Sequence, residues 1–395
     1  MDEIKESLKI SAVIPVYNCE QYITDVIKSL EKQTYPLYEI IVIDDNSTDA
    51  THCKVLKLAH ESRCHIKAFR HRENKGVSEA RNLGIRKAKG NWILFIDGDD
   101  TAEPRLLELQ LKSLEACRKE KPNQWVLVHT AHRQITEEGK FFDGIHRFKQ
   151  VEPEEILGYQ FVRNHVCVSG TLVNKKEIQK LGGFDTSLTH SEDWDMWLQL
   201  AQVGGFVYVD QPLFNVRRHK ENASKRIKDM LNGEQKVFKK YELSFIESSI
   251  NKRSLSRTQN GTDYVSILFK IGFWEEGYEY LKKQEKTTDF APLSFLLGLY
   301  YLHHQHINNA KALFNNTLKH NPCHGAALNN LGAISILLGQ YDAAQTYLHR
   351  ALSLFPNYID AKHNHYILKT MKSANYNDLK FTWRELRKQL TSYEE

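Results

Sequence analysis

Three carboxylates crowd into four residues of NWILFIDGDDTAEP: Asp97, Asp99 and Asp100. They follow directly on an apolar run, Trp92-Ile93-Leu94-Phe95-Ile96. Like charges this close repel and raise one another's pKa unless something positive lies between them. A divalent cation with oxygen ligands meets that need. An acidic helix N-terminus ahead of TAEPRLLELQ is the alternative use, because carboxylates also suit the positive end of a helix dipole. Two further acidic pairs stand out: Asp44-Asp45, closing YEIIVIDD, and Glu192-Asp193 in HSEDWDMW. The second pair also reads as the acidic first turn of a helix, with Trp194, Trp197 and Leu198 packed beneath it.

The elements that must hold these groups can be read from apolar pattern. LKISAVIPVYN, YEIIVIDD, CHIKAFRH and WILFI are apolar, β-branched runs and predict four strands. EQYITDVIKSLEKQ, DATHCKVLKLAH and GVSEARNLGIRKAKG lie between them and predict helices, the last closed by Gly90. Unbroken apolar strands alternating with helices predict a parallel sheet covered on both faces. Ligands of such sheets bind outside the carboxyl ends of the strands. Pro15-Val16-Tyr17-Asn18, Asp44-Asp45-Asn46 and Asp97-Gly98-Asp99-Asp100 all fall there, so three polar clusters face one crevice.

The C-terminal third follows another rule. Leu331-Gly332, Ala344, Leu348, Ala351 and Pro356 have earlier counterparts, evenly displaced, at Leu297-Gly298, Ala310, Phe314, Thr317 and Pro322. Thr317 in place of alanine is the one departure in type. A period of about 34 with small residues at fixed places resembles the tetratricopeptide repeat, a pair of antiparallel helices. KIGFWEEGYEYLKKQEK, residues 270–286, reads as a degenerate upstream unit slightly out of register.

In order along the chain, ISAVIPVYNCEQYI, IIVIDDNSTDAT, ENKGVSEARNLGI, ILFIDGDD, GGFDTSLTHSEDWDMWLQLA and VRRHKENAS resemble the motifs of family 2 glycosyltransferases. The resemblance covers residues 9 to about 224. It implies an α/β domain of the GT-A fold, Rossmann-like with a mostly parallel sheet, followed by the all-α repeat domain. The expected boundaries are 1–225 for the first, 226–254 for a connecting helix and 255–395 for the repeats.

The resemblance also implies roles. Asp99 would ligate Mn²⁺ or Mg²⁺ together with His219. Asp97 would meet the ribose or share the metal. Asp45 would accept a hydrogen bond from the nucleotide base, usually uracil, while Asp44 braces the loop. Pro15, Tyr17 and Asn18 would either line the base pocket or make a strand-to-helix turn. Arg81 would contact the diphosphate or sugar, or form an interior salt bridge. Arg217 and Arg218 would meet the diphosphate, which suits a planar guanidinium. The family often has tyrosine where this chain has Val216, which weakens that phosphate assignment. Asp193 would be the general base that deprotonates the acceptor, with Glu192 orienting it, and one base with direct displacement implies inversion. Asn82 and Gly76 would shape the backbone, and Gly182 and Gly183 would allow a close approach beneath the donor sugar.

The expected activity is metal-dependent, inverting transfer of a sugar from a nucleoside diphosphate sugar, a UDP-sugar by preference. The acceptor would be a protein or peptide engaged through the repeats, or a saccharide or lipid-linked saccharide. A homodimer through the repeats and a catalytically inactive nucleotide-binding scaffold are the other readings. A net charge of +5, from 54 basic and 49 acidic residues, gives no basic stripe for nucleic acid. FRHRENK, residues 69–75, reads as solvated loop. Six cysteines form no C-x-x-C pair, and the mixture of His52, Cys53, His60, Cys64 and His65 matches no common zinc spacing. No apolar run reaches the length of a membrane span, and MDEIKESLKI lacks a signal peptide's apolar core. The expectation is a cytoplasmic protein, compatible with peripheral membrane contact.

Overall fold

The computed structural model describes residues 8–142, 144–219, 227–285, 291–370 and 374–384. They fall into two compact units that divide between Ser254 and Leu255.

In the first unit β1 (Ile10–Val16), α1 (Ile23–Glu31), β2 (Glu39–Asp44), α2 (Thr51–Glu61), β3 (Ile66–Arg70), α3 (Val77–Lys87) and β4 (Trp92–Phe95) alternate as their apolar patterns predict. Every residue of β1, β2 and β4 is buried, as strands covered on both faces must be. These strands pair in parallel in the order β3-β2-β1-β4. Val16 pairs with Asp44 and Val13 with Phe95, so the strand ends carrying the three polar clusters lie side by side.

Beyond β4 the sheet becomes mixed. β5 (Thr101–Ala102), β6 (Trp125–Ile135), β7 (Thr171–Asn174) and β8 (Gly205–Arg217) extend it to β3-β2-β1-β4-β7-β6-β8-β5. β7 is antiparallel to β4 and β6, β8 is parallel to β6, and β5 is antiparallel to β8. Helices α4 (Leu106–Glu120), α5 (Ile156–Val162), α6 (Lys175–Lys180) and α7 (Glu192–Val203) lie between these strands in the chain.

The segment expected as a connector packs as part of the first unit instead. It forms α8 (Ile227–Phe238) and α9 (Leu243–Asn251). Phe238 meets Trp194 edge-on at 5.2 Å, and Tyr241 meets Phe161 at 5.1 Å. Lys240 donates to Asp185 at 2.7 Å and to buried Asp195 at 2.8 Å. These aromatic and charged groups need partners, and α5 and α7 supply them.

The second unit consists of α10 (Arg257–Ile271), α11 (Trp274–Glu285), α12 (Ala291–His303), α13 (Ile307–His320), α14 (Gly325–Leu337), α15 (Tyr341–Leu354) and α16 (Ile359–Thr370). α10 packs on α11, α12 on α13 and α14 on α15. α12, α14 and α16 begin at Ala291, Gly325 and Ile359, in equal steps that match the repeat period read from the sequence. α11, beginning at Trp274, falls slightly out of step with α13 at Ile307, which is the slipped register of the upstream unit. A Cβ on Gly298 would stand 2.7 Å from the Phe314 ring, and one on Gly332 would stand 2.6 Å from Leu348. The small residues of the repeat are therefore the points where paired helices touch. Thr317, the departure from pattern, is buried and donates its hydroxyl to the Leu313 carbonyl at 3.0 Å. Among the described residues no helix is long and apolar enough to cross a membrane.

Candidate active site

Just past β4, the Asp97 N–H donates to Ser169 Oγ at 2.9 Å, and its Oδ1 accepts from Arg81 Nη2 at 2.9 Å. Arg81 lies on α3 and is 4% exposed. Its Nη1 donates to Glu192 Oε1 at 2.8 Å. One guanidinium thus ties the acidic loop after β4 to the acidic pair that opens α7. Arg81 thus forms the interior salt bridge, one of the two uses its sequence context allowed. Burial pushes Asp97 above the usual carboxylate range despite Arg81, and the Asp99 charge adds to the rise.

Asp99 Oδ2 lies 2.9 Å from Nε2 of His219, 120 residues later. The imidazole stacks on Tyr22 at 5.3 Å, and the Tyr22 hydroxyl donates to Glu137 at 3.0 Å. Arg217 fastens the same loop. Its backbone N–H donates to Asp100 Oδ1 at 2.8 Å, its Nε to the Asp99 carbonyl at 2.9 Å, and its Nη1 to the Glu137 carbonyl at 2.7 Å. The Arg217 guanidinium, expected on a diphosphate, is buried and engaged with carbonyls. Arg218 donates Nε to Gln134 at 3.1 Å and stays partly exposed. Burial pushes Asp100 well above the ordinary range, with Asp99 and Asp97 reinforcing it.

Asp193 sits in the first turn of α7, after Ser191 in the left-handed conformation (φ 63°). Its Oδ1 accepts from the Trp194 N–H at 2.7 Å and its Oδ2 from Asn164 Nδ2 at 2.9 Å. Burial pushes its pKa up to about 7; the Glu192 charge adds to the rise and Arg81 opposes it. Trp194 and Trp197 lock the turn from below, donating to the carbonyls of Gln160 at 2.7 Å and Val166 at 3.1 Å. The packed acidic turn and the positioned carboxylate are one arrangement.

At the end of β2, Asp45 Oδ1 accepts from the Lys75 N–H at 2.9 Å and meets His71 Nδ1 at 2.6 Å, while Oδ2 accepts from the Gly76 N–H at 2.7 Å. Asp45, expected on the nucleotide base, here organises the loop that leads into α3. Asp44 braces its loop, accepting from the Ser47 N–H at 2.8 Å with Arg70 Nε at 3.3 Å. The expectation of plain solvated loop at residues 69–75 therefore fails at Arg70 and His71. Asn18 (φ 53°) makes the turn after β1, its Oδ1 accepting from the Thr48 N–H at 2.8 Å. Pro15 is paired within β1, and Tyr17 is 48% exposed. Gly183 (φ 81°) makes its close approach to Asn82, where a Cβ would stand 2.3 Å from Oδ1. Asn82 grips that turn through both the N–H and the carbonyl of Phe184, each at 2.8 Å.

A carboxylate oxygen beside an imidazole nitrogen suits a hard or borderline divalent cation. Among the described residues no cluster of three or more His, Cys, Asp or Glu forms a closed metal cage. Asp99 and His219 would thus supply two ligands, leaving substrate oxygens and water to complete the shell. Sequence reasoning passed over Tyr22, His71, Glu137, Asn164 and Ser169, whose importance depends on what they reach across the fold.

Comparison with known proteins agrees with this architecture. Residues 11–166 match the glycosyl transferase family 2 model, and residues 325–358 match a tetratricopeptide repeat. An uncharacterized glycosyltransferase of Rickettsia conorii is 33% identical over 218 residues, 54% of this chain and 34% of that protein. A chondroitin synthase of Escherichia coli is 29% identical over 251 residues, 64% of this chain and 34% of that protein. The chain thus spans about a third of the length of each. Crystalline S. aureus TarS 1-349 in complex with UDP-GlcNAc aligns over 88% of this chain and 91% of its own at 16% identity. The TM-score of that alignment is 0.48. The mixed α/β sheet domain is thus similar to family 2 glycosyltransferases over residues 11–166, and the helical hairpins that follow include a match to the tetratricopeptide repeat.

Proposed function

We propose that this protein transfers a sugar from a nucleoside diphosphate sugar, by preference a UDP-sugar, to an acceptor hydroxyl with inversion. The observation that carries the proposal is the 2.9 Å meeting of Asp99 and His219, brought together across 120 residues. A divalent cation there, Mn²⁺ or Mg²⁺, would neutralise charge growing on the departing diphosphate. Asp193, held by Asn164 and the Trp194 N–H, takes the acceptor proton. The acceptor oxygen then bonds to the anomeric carbon while the bond to diphosphate breaks. A pKa near 7 suits a base that must gain a proton in that step. Glu192 and Arg81 hold the two acidic clusters in fixed relation.

Release of UDP from a panel of UDP-sugars, with and without Mn²⁺, tests the reading. Asp99→Asn and His219→Ala should each cut release at least about 100-fold, since the cation's charge stabilisation is worth several kcal/mol. Asp193→Asn should lose about 10²–10⁴-fold, the usual worth of a general base, while still binding nucleotide. Full turnover in Asp193→Asn would remove the base assignment.

The acceptor we favour is a polypeptide engaged through the repeats, because helical repeats build concave surfaces for extended partners. The likeness to a chondroitin synthase supports a saccharide acceptor as the second reading. Label from the donor entering acid-precipitable polypeptide supports the first, and label entering polysaccharide or extractable lipid supports the second.

A further inference from the structure

The second unit contains a peptide-recognition arrangement that is already filled. Asn364 on α16 pairs with Lys380 through two bonds: the Lys380 N–H donates to Oδ1 at 2.8 Å, and Nδ2 donates to the Lys380 carbonyl at 2.8 Å. Asn330 on α14 treats Thr382 the same way, at 2.7 and 3.0 Å. The two asparagines hold equivalent places in successive repeats, since α14 and α16 are a full repeat period apart. Their neighbours are equivalent too. Asn329 donates to the Lys380 carbonyl at 2.9 Å, and His363 Nε2 lies 2.8 Å from the Asp378 carbonyl. The backbones of residues 380 and 382 are thus read at alternate positions, as an extended chain presents them, while Asp378 ends the 3-10 turn Tyr376–Asp378 that leads into this stretch.

Asn329, Asn330 and Asn364 are all fully buried. A buried carboxamide without a partner is destabilising, so this groove disfavours being empty. Side-chain demands on the occupant fall on three positions and spare Lys380. Lys380 points outward and is exposed. Leu379 and Phe381 are buried, and Thr382 Oγ1 donates to Asp360 at 2.8 Å while accepting from Asn329 at 3.0 Å.

We propose that the repeat unit is a main-chain-reading peptide site which this chain fills with its own residues 378–383, and that an extended polypeptide of another protein can take their place. The preferred partner carries an apolar residue, any residue, an aromatic and then serine or threonine. The inference stands on the repeat unit alone, and its readout is peptide binding rather than turnover.

The test uses a labelled peptide spanning residues 374–384 and the full chain. A tethered occupant competes at an effective concentration on the order of mM, so the wild-type chain should bind the free peptide weakly. Thr382→Pro in the chain removes the N–H that Asn330 holds and loosens the resident segment. That variant should bind the peptide at least about 100-fold more tightly, and Asn330→Ala with Asn364→Ala should abolish the gain. A peptide with Lys380→Glu should bind equally, and one N-methylated at Lys380 and Thr382 should not bind. On the wild-type chain, millimolar peptide should speed hydrogen exchange at the Lys380 and Thr382 amides by displacing them. Unchanged exchange, or equal binding of the methylated peptide, would overturn the proposal and make residues 378–383 a fixed cap.

Discussion

At the scale of single residues, the raised pKa of Asp193 has two separable consequences. The base proposed for Asp193 works only when ionised, so kcat/KM should fall about tenfold per pH unit below about 7. The effect on folding runs the other way. A carboxyl whose folded pKa lies above its unfolded value contributes stability fully below the unfolded value, and loses it as pH rises through about 7. Asp193→Asn should therefore raise Tm at pH 8 and leave it nearly unchanged at pH 4. Arg81→Met is expected to cost about 3–5 kcal/mol in urea unfolding, because it leaves Asp97 and Glu192 without their shared cation. Asp99, Asp193 and His219 could be singled out as candidates because their types recur in ordered motifs. Arg217 was not, since nothing beside it in the chain tells whether carbonyls or phosphates await its guanidinium. Asn164 and Ser169 left no signal, as their partners lie 29 and 72 residues away.

At the scale of elements, legibility followed burial. β1, β2 and β4 are covered on both faces, so their apolar runs are unbroken and the parallel half of the sheet could be read directly. β6 mixes histidine, threonine, arginine and glutamine into its run, and β5 is two residues long, so the mixed half left a weaker trace. The repeats were visible through their period, and the contacts of Gly298 and Gly332 supply its cause. Gly332→Ala should cost about 1–3 kcal/mol by overpacking against Leu348. Leu348→Ala alone should cost about 2–5 kcal/mol. The double variant should cost less than the sum, because the added methyl occupies space the leucine vacates. Urea midpoints of the three variants check this.

At the scale of the whole molecule, each of the two compact units contains a large apolar cluster. One runs from Ile10 to Leu213 and the other from Val265 to Phe381. Calorimetry of the full chain should resolve two transitions. UDP with Mn²⁺ should shift only the one that belongs to the first unit, by about 2.7 kcal/mol at a hundredfold excess over Kd. A shift shared equally by both would show that the units melt together.

The clasp between Asp100 and the Arg217 backbone also bears on the order in which this domain comes to exist. A ribosome delivers the acidic loop long before the segment that secures it. Until β8 leaves the exit tunnel, the nascent domain holds Asp99 and Asp100 without the Arg217 and His219 groups that meet them in the folded chain. The candidate site is thus completed only when the last strand of the chain joins the sheet, and a chain released early would hold it in part.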